Sequence, residues 1–324
     1  MIQEDRFPKI FWNYVISFAL LVFAMGLALC LGATDADWEM VRDLRLPRVI
    51  LAAGIGMGLA VSGGVLQVLF NNPLCEPYIL GISSGSALGV VIGMSVGIHL
   101  NLGGLVGTSF LGALTFAIIL FWISQRTFHL GTHQGQTTLL LVGVVLGFLG
   151  NGLLALWIAL AEPSQLQSAT VWFFGDLSRA RLSGALLTFV GVVCGIALIF
   201  TQARDLDAYL LGGSEAQSMG VDGARLQKIM IGLTSVLVGL CVSGGGVIGF
   251  VGLLVPHAVR FWVGTPHRNS LPLTAIWGAI TLVIADLLSR WIARPYELPV
   301  GVITALLGSP VLIAVLIRRK VVIS

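Results

Sequence analysis

Long stretches without a charged residue constrain this chain more than any other feature. A soluble domain carries about a quarter charged residues, whereas only 10% of these 324 residues are charged. Asp, Glu, Lys and Arg are absent from seven long runs: 12–34, 49–75, 77–125, 139–161, 182–203, 229–259 and 270–285. Runs of about 20 apolar residues are long enough to cross a bilayer as helices. The sequence therefore predicts an all-α polytopic membrane protein.

A window of about 19 residues divides the chain into ten predicted spans. They are roughly 12–31, 49–70, 79–98, 103–124, 138–160, 183–201, 226–244, 247–263, 270–291 and 299–318. An even number places both termini on one side. Of the 18 Lys and Arg residues, 11 fall on the side of the termini and 7 on the other. The positive-inside rule then predicts that both termini are cytoplasmic.

A short internal repeat links two parts of the chain. Residues 58–64 read GLAVSGG and residues 239–245 read GLCVSGG, which match at six of seven positions with an offset of 181. The spans that contain them point in opposite directions, as in the inverted repeats of transporters. We expect one transmembrane domain over 1–324, with halves at about 46–160 and 226–318. A chance match between small-residue helices is the alternative.

The segment 204–225 is polar, charged and rich in glycine within this apolar chain. It predicts two short helical pieces, 206–211 and 215–219, with a hinge at Gly212–Gly213. Neither piece is long or apolar enough to span a bilayer. Both should lie in water or against another protein.

Several kinds of chemistry are missing from the sequence. None of the three lysines follows a glycine-rich loop, so no Walker A nucleotide site is expected. The four cysteines and five histidines show no metal-ligand spacing. The charge-free runs also disfavour an ion-coupled carrier, which needs ionisable groups or comparable ligands near mid-membrane. We therefore expect no enzyme activity, no cofactor and no metal in this chain, and energy from a partner that binds at 204–225. An energy-independent channel or facilitator is an alternative, and a scaffold or assembly protein is a weaker one.

Several motifs, in order along nearly the whole chain, resemble one family. They are RLPR (45–48), FNNPLCEPYILGISSGSALG (70–89), GFVGLLVPHAVR (249–260), ADLLSR (285–290) and ELPVGVITALLGSPVL (297–312). These segments resemble the FecCD family of type II ABC importer permeases, which serve iron-siderophores, haem and vitamin B12. The resemblance implies ten helices, a homodimer around a central pathway, two ATP-binding cassette subunits and a periplasmic or lipoprotein substrate-binding protein. It also implies an inner-membrane location, with an iron chelate or haem as the first cargo and a corrinoid as the alternative.

The resemblance assigns coupling helices that engage the ATPase to 205–221. The residues concerned are Asp205, Leu210, Leu211, Gly212, Gly213, Glu215, Ala216 and Gly220. Apolar Tyr209, Leu210 and Leu211 beside acidic residues would suit a groove on another protein. A solvated loop with incidental helix is the alternative.

The family also implies functions for polar residues near both membrane faces. Arg45, Arg48 and Arg290 would dock the binding protein through carboxylates. The alternatives are snorkelling at the head of span 2 for the first two, and a pair with Asp286 at i,i+4 for Arg290. A cytoplasmic gate would contain Asn72, Leu74, Gln136 and Thr137, for which turn and cap chemistry is the alternative.

Span 5 and the loop that follows it, 147–176, should line the pathway by the same resemblance. We expect a short helix within 165–177 at the outer mouth. The aromatic residues there, Trp157, Trp172, Phe173 and Phe174, could contact a large flat cargo. They could equally form an interfacial aromatic belt.

Overall fold

The protein is helical throughout the part that the structure describes. The computed structural model describes residues 6–32, 37–97, 102–127, 133–264, 266–294 and 296–323, and no β-strand occurs among them. The helices are α1 (Arg6–Cys30), α2 (Trp38–Met40), α3 (Leu46–Leu69), α4 (Ile82–Ser95), α5 (Leu102–Thr127), α6 (His133–Leu160), α7 (Pro163–Phe173), α8 (Leu182–Thr201), α9 (Ala203–Leu210), α10 (Gly213–Ser218), α11 (Gly223–Gly245), α12 (Val251–Val263), α13 (His267–Trp291) and α14 (Val300–Ile323). A π-helical turn, Val41–Arg45, precedes α3, and a 3₁₀ turn, Pro77–Leu80, precedes α4.

The predicted spans are confirmed within these residues. Seven helical segments are long and apolar enough to cross a membrane: Ile10–Cys30, Trp38–Leu69, Leu105–Ile123, Gly135–Leu160, Leu182–Thr201, Gly223–Gly245 and His267–Trp291. Three shorter apolar helices, Ile82–Ser95, Val251–Val263 and Val300–Ala314, coincide with the remaining three expected spans. The ten segments that hydropathy indicates are thus helical in the structure.

The second span begins at Trp38, about three helical turns before the start that hydropathy predicts, and the added turns contain charged residues. The helix is continuous from Trp38 because Arg42 and Asp43 are hydrophilic but do not break helices. Pro47 cannot donate a backbone hydrogen bond, and its ring crowds the preceding turn. The π turn immediately before it, closed by Leu46 N and Val41 O, accommodates that ring within a continuous helix.

Helix α3 is the centre of the molecule, and α8, α11, α12 and α13 pack around it. The most apolar stretch of α3 is 89% buried inside the protein, whereas the corresponding stretches of α5, α6 and α8 are only 22% buried. Glycines permit the closest crossings, because a Cβ at Gly56 would collide with the backbone of Gly278, and one at Gly63 with that of Gly252. Close backbone approach is the usual way that membrane helices gain packing energy.

The two helices that carry the GLAVSGG and GLCVSGG sequences cross each other in opposite directions. Leu51 of α3 lies near Gly244 of α11, and Gly58, further along α3, lies near Cys241, earlier on α11. This antiparallel crossing is what an inverted repeat requires. The division of the chain into two related halves stays a prediction.

Helices α4, α5 and α6 form a lateral group. Gly89 and Gly112 bring α4 and α5 into backbone contact, and Ser86 and Ser109 share a hydrogen bond of 2.6 Å in that interface. Helix α6 packs on α4, α5 and the Pro77–Leu80 turn, and leaves a broad apolar face uncovered. Large exposed side chains on that face are Leu141, Val145, Phe148, Leu149, Leu153, Leu156 and Leu160.

Candidate functional site

The polar segment forms the two short helices that the sequence predicts, α9 and α10. Gly212 separates them with φ +124°, a conformation that side chains rarely adopt, so the hinge requires glycine at this position. Helix α11 follows directly, and the carboxylate of Asp222 caps it by accepting hydrogen bonds from Ala224 N and Arg225 N. The segment is thus a defined turn between two membrane helices.

The expected coupling residues separate into a buried and an exposed set. Leu211 is 64% exposed, Glu215 and Gly220 are exposed, and Met219, which the sequence argument did not single out, is 64% exposed. Ala216 is buried, and Asp205, Leu210 and Gly212 are half-buried. Gly213 is the first residue of α10. The exposed apolar side chains lie beside a carboxylate and are available to a partner.

The expectation that Tyr209 faces a partner protein is wrong. Tyr209 is only 5% exposed, because α9 packs the face with Leu206, Ala208 and Tyr209 against the neighbouring helices α3, α8, α11 and α13. Gln136 Nε2 donates to the Tyr209 hydroxyl at 2.7 Å. Burial raises the pKa of Tyr209, so the hydroxyl stays neutral at physiological pH. Sequence reasoning had no signal for this pair, whose members lie 73 residues apart.

A second contact fixes α9 to the start of α13. The Asp207 carboxylate accepts a hydrogen bond from the backbone N of His267 at 2.7 Å, and the same oxygen lies 2.6 Å from His267 Nδ1. A carboxylate at a helix N-terminus satisfies a backbone N–H that has no partner within the helix. This contact therefore anchors α9 to the helix core.

The loop between α3 and α4 holds two of the expected gate residues. The Asn72 side chain accepts a hydrogen bond from Leu74 N at 2.9 Å, which is an Asx turn, and Leu74 is 45% exposed. Asn71 has φ +45°, which an asparagine tolerates better than most residues. The turn chemistry is thus present, and it leaves the Leu74 side chain projecting from the loop.

Glu76 and Tyr78 in this loop are functional candidates that the sequence argument missed. The Glu76 carboxylate accepts from Phe250 N at 2.7 Å, and the Tyr78 hydroxyl accepts from Ile248 N and donates to Ile248 O. Burial raises the pKa of Glu76, and the Phe250 hydrogen bond partly opposes this shift. One signal was available, because Glu76 is the lone charge between two charge-free runs.

The other two gate residues lie at the start of α6, where Gln136 is half-buried and Thr137 is exposed. Further along α6, Gly143 and Gly147 contact the turn at the end of the α3–α4 loop. A Cβ at Gly143 would lie 2.9 Å from Leu80 Cα, and Gly147 N lies within 3.0 Å of a Cβ at Gly81. Helix α6 therefore rests directly on the turn that follows Asn72 and Leu74.

The three arginines expected at a docking surface are buried. Arg48 donates from Nε to Asp286 at 2.7 Å and from Nη1 to Glu297 at 2.7 Å. Arg290 lies 3.2 Å from Asp286 at i,i+4 and donates to Ala28 O, and Arg45 donates to Leu29 O and Cys30 O. The exposures of Arg45, Arg48 and Arg290 are 6%, 8% and 3%. This geometry gives them an intrachain function, and their docking function stays a prediction.

These contacts define two ends of the molecule. At one end the start of α3 meets the end of α13 through Arg48 and Asp286, and we call it the arginine end. At the other, the start of α13 meets α9 through His267 and Asp207, and we call it the coupling end. The start of α6 also lies there, because Gln136 contacts Tyr209.

A short helix occurs close to the segment predicted for the mouth of the pathway. It is α7, which begins and ends slightly earlier than expected. Trp172 and Phe173 contact each other edge to face with 5.9 Å between ring centroids, and Trp157 Nε1 donates to Ser95 Oγ at 2.8 Å. Both indole rings are thus held by neighbours within the chain.

The architecture and these two ends define a class of protein. Ten apolar helices, charge-free over most of their length, and a polar two-helix turn at one end are features of a multi-span membrane permease. Within the described ranges, no group of three or more His, Cys, Asp or Glu side chains could hold a metal ion. The chain belongs to the FecCD transport family, whose family model matches residues 9–318.

Relatives and a solved structure agree with this assignment. The hemin transport system permease HmuU of Yersinia pestis is 37% identical, over 89% of this chain and 86% of that protein. The vitamin B12 import permease BtuC of Vibrio cholerae is 38% identical, over 93% and 89%. The fold also matches an inward-facing metal-chelate type ABC transporter with a TM-score of 0.85 and 30% identity, over 97% of this chain and 100% of that one. Proteins of this family are permease subunits of ABC importers.

Proposed function

We propose that this chain is the permease of an importer that carries an iron chelate or haem across the inner membrane. Two copies would form the pathway, two separate ATPase subunits would supply the energy, and a binding protein would deliver the cargo. The termini would lie in the cytoplasm, on the side of the coupling end. The observation that carries the proposal is the exposed surface of α9 and α10 in a protein without mid-membrane charge.

The exposed surface of α9 and α10 supports an ATPase as the partner. Leu211 and Met219 are both 64% exposed in the same short segment as Glu215, which lies outside the ten apolar helices. Apolar anchors with a polar rim are typical of protein interfaces. A chain with no Walker A loop and with charge-free membrane runs would take its energy from a partner if it pumps.

The uncovered face of α6 supports a homodimer with the pathway between its copies. Its exposed leucines and Phe148 would either face lipid or meet a second copy. Asn151 is also exposed on this helix, and an amide in contact with lipid tails would be costly. Water in a pathway on the dimer axis would satisfy that amide. The gate would then combine Asn72, Leu74, Gln136 and Thr137 at the coupling end.

The arginine end would receive the binding protein. The docking function that the resemblance assigns to Arg45, Arg48 and Arg290 would be indirect, because these buried side chains would hold the helix ends in register. Their exposed neighbours Arg42 and Arg294 would meet acidic side chains on the partner. Reversal of charge at Arg294 should then weaken binding, and more salt should weaken the wild-type complex. An Arg294→Glu variant that binds normally at low salt would contradict this assignment.

The decisive experiment is purification of the tagged permease with the gene products encoded beside it. We expect a dimer with an ATP-hydrolysing subunit, whose hydrolysis is stimulated by the loaded binding protein. A dimer that moves cargo down its gradient without such a subunit would identify a facilitator instead.

The cargo is tested separately by calorimetry on the binding protein. Similarity to HmuU and to a metal-chelate type transporter favours haem or a ferric siderophore. Similarity to BtuC makes cobalamin the second candidate. Titration with haem, a ferric siderophore and cobalamin distinguishes them, and tight binding of cobalamin alone would overturn the iron assignment.

A further inference from the structure

We infer that Tyr209 and Gln136 are positioning residues that transmit movement of α9 to α6 and so to the Asn72–Leu74 loop. The inference rests on the proposed function, in which α9 engages an ATPase. It goes further because it names the contact through which the pathway responds.

Helix α9 is attached to two different parts of the molecule. It packs against α3, α8, α11 and α13, and the Asp207–His267 contact fixes it to the start of α13. Helix α6 is not among its main packing partners. The long Tyr209 side chain reaches α6, where its hydroxyl accepts the hydrogen bond from Gln136 at 2.7 Å. Tyr209 thus connects α9 to the start of α6.

Helix α6 then carries the contact to the loop. Gln136 stands at its start, and Gly143 lies two turns further along the same helix. A Cβ on Gly143 would lie 3.0 Å from Ile79 O and 2.9 Å from Leu80 Cα, so α6 and this turn are in backbone contact. Because an α-helix is stiff over two turns, a displacement at Gln136 must displace residues 79–81. The same peptide segment continues back to Leu74 and Asn72.

The loop has a fixed support on its other side. Glu76 and Tyr78 bond to Phe250 and Ile248 at the start of α12, which packs on α3. These two anchors lie between residues 79–81 and Leu74, so they would act as a pivot about which a push from α6 turns the loop. This arrangement converts a small rotation of α9 into movement of the Leu74 side chain.

The variant that tests this inference is Tyr209→Phe, which keeps the buried ring and removes the hydroxyl. The assembled complex with its ATPase would be reconstituted into vesicles, and cargo uptake and ATP hydrolysis would be measured together. We expect hydrolysis to persist and cargo moved per ATP to fall about two- to tenfold, the equilibrium effect of one net hydrogen bond. Gln136→Leu should give the same defect, and the double variant should be no worse than either single variant.

A matched control is Tyr14→Phe. Tyr14 also stands at the coupling end, and its hydroxyl donates to Asn269 O at 2.9 Å, so this variant loses one hydrogen bond between helices as well. It lies outside the proposed route and should leave the ratio of cargo to ATP unchanged. An equal defect in Tyr14→Phe would indicate general loosening and overturn the inference.

A second readout does not depend on cargo. In a background with the exposed Cys30 and Cys194 replaced by serine, Leu74→Cys would report the loop through its rate of reaction with a maleimide. Met219→Cys would report whether the ATPase still covers the surface of α9 and α10. We expect a non-hydrolysable ATP analogue to change labelling of Leu74→Cys, and Tyr209→Phe to abolish this change while Met219→Cys stays shielded.

The two readouts separate the inference from the function on which it rests. If Tyr209→Phe keeps the nucleotide-dependent change at Leu74→Cys, the transmission through Tyr209 is wrong and the importer assignment stands. If the two reporter variants with Tyr209 intact show neither shielding at Met219→Cys nor a nucleotide response at Leu74→Cys, the proposed function itself is wrong and the inference falls with it.

Discussion

Arg48 and Asp286 form a buried ion pair in which the arginine Nε lies 2.7 Å from the carboxylate, although 238 residues separate them in sequence. The pair joins the start of α3 to the end of α13. Asp286 is 1% exposed and also forms an ion pair with Arg290, whereas the second partner of Arg48, Glu297, has a side chain that is 39% exposed. The two carboxylates therefore contribute very differently to the fold.

Removal of Asp286 should destabilise the protein strongly. Asp286→Ala leaves two buried guanidinium groups without their shared carboxylate, and breaking a buried pair in this way costs about 3–5 kcal/mol. Glu297→Ala is the matched control, because the carboxylate that it removes is partly solvated and Arg48 still pairs with Asp286. This variant should lose about 1 kcal/mol of stability or less. Unfolding in detergent would measure both, and equal losses would contradict this account.

Glycine at the crossing of α3 and α13 should be indispensable. Gly56→Val would push its side chain into the backbone of Gly278, so we expect poor folding and a loss of at least about 1–3 kcal/mol from overpacking. Gly26→Val places the same side chain in an apolar helix with nothing within 4 Å. The yield and melting temperature of folded protein should therefore drop for Gly56→Val only. Similar melting temperatures for the two variants would show that α13 can move aside.

A charge at the exposed tip of the coupling end should release the ATPase. Leu211→Asp introduces a carboxylate into a surface where we place an apolar anchor, and we expect about tenfold weaker retention of the ATPase subunit during purification. Leu44→Asp is the control, since Leu44 is 58% exposed but lies in the π turn next to the arginine end. Both variants should remain membrane-inserted. Retention of the ATPase by Leu211→Asp would place the contact elsewhere.

Glu76 should make stability depend on pH. A carboxyl whose pKa is raised in the folded state binds its proton more tightly there, so it favours folding at low pH. That contribution is lost as pH rises from the ordinary glutamate value of about 4.3 through the raised pKa. Glu76→Gln keeps an oxygen acceptor for Phe250 N and carries no charge. It should melt higher than wild type near neutral pH, with a difference that vanishes in acid.

The control for this experiment is Glu76→Ala, which removes the acceptor altogether. Phe250 N would then lose its 2.7 Å partner, so this variant should melt lower than Glu76→Gln at every pH. A constant difference between wild type and Glu76→Gln across the pH range would contradict a raised pKa. The melting temperatures of the three proteins over a pH series are the measurement.

Properties that the bilayer imposes residue by residue could be predicted from the sequence. The ten spans and the pair of short helices around Gly212 follow from local composition. A charged residue in hydrocarbon is costly wherever its neighbours are, so hydropathy needs no knowledge of packing. The family motifs added the class of protein and the partners to be expected.

The positions of individual side chains at the two ends required the tertiary structure. The sequence predicts that Arg48 and Arg290 lie on the surface. In the folded chain they are buried around Asp286, because α1, α3 and α13 meet there. The sequence predicts that Tyr209 contacts a partner protein, but in the structure its hydroxyl faces inward and accepts a hydrogen bond from Gln136. These outcomes depend on which distant segments meet, and no local pattern contains that information.

The sequence by itself thus determined which segments are apolar enough to cross a membrane and which polar segment lies between two of them. Only the tertiary structure decided that α3 is the central helix, that Glu76 bonds to the residue before α12, and that Tyr209 joins α9 to α6. The physical reason is that burial in lipid acts on each residue separately. Packing and hydrogen bonding instead depend on pairs of residues that the fold alone brings together.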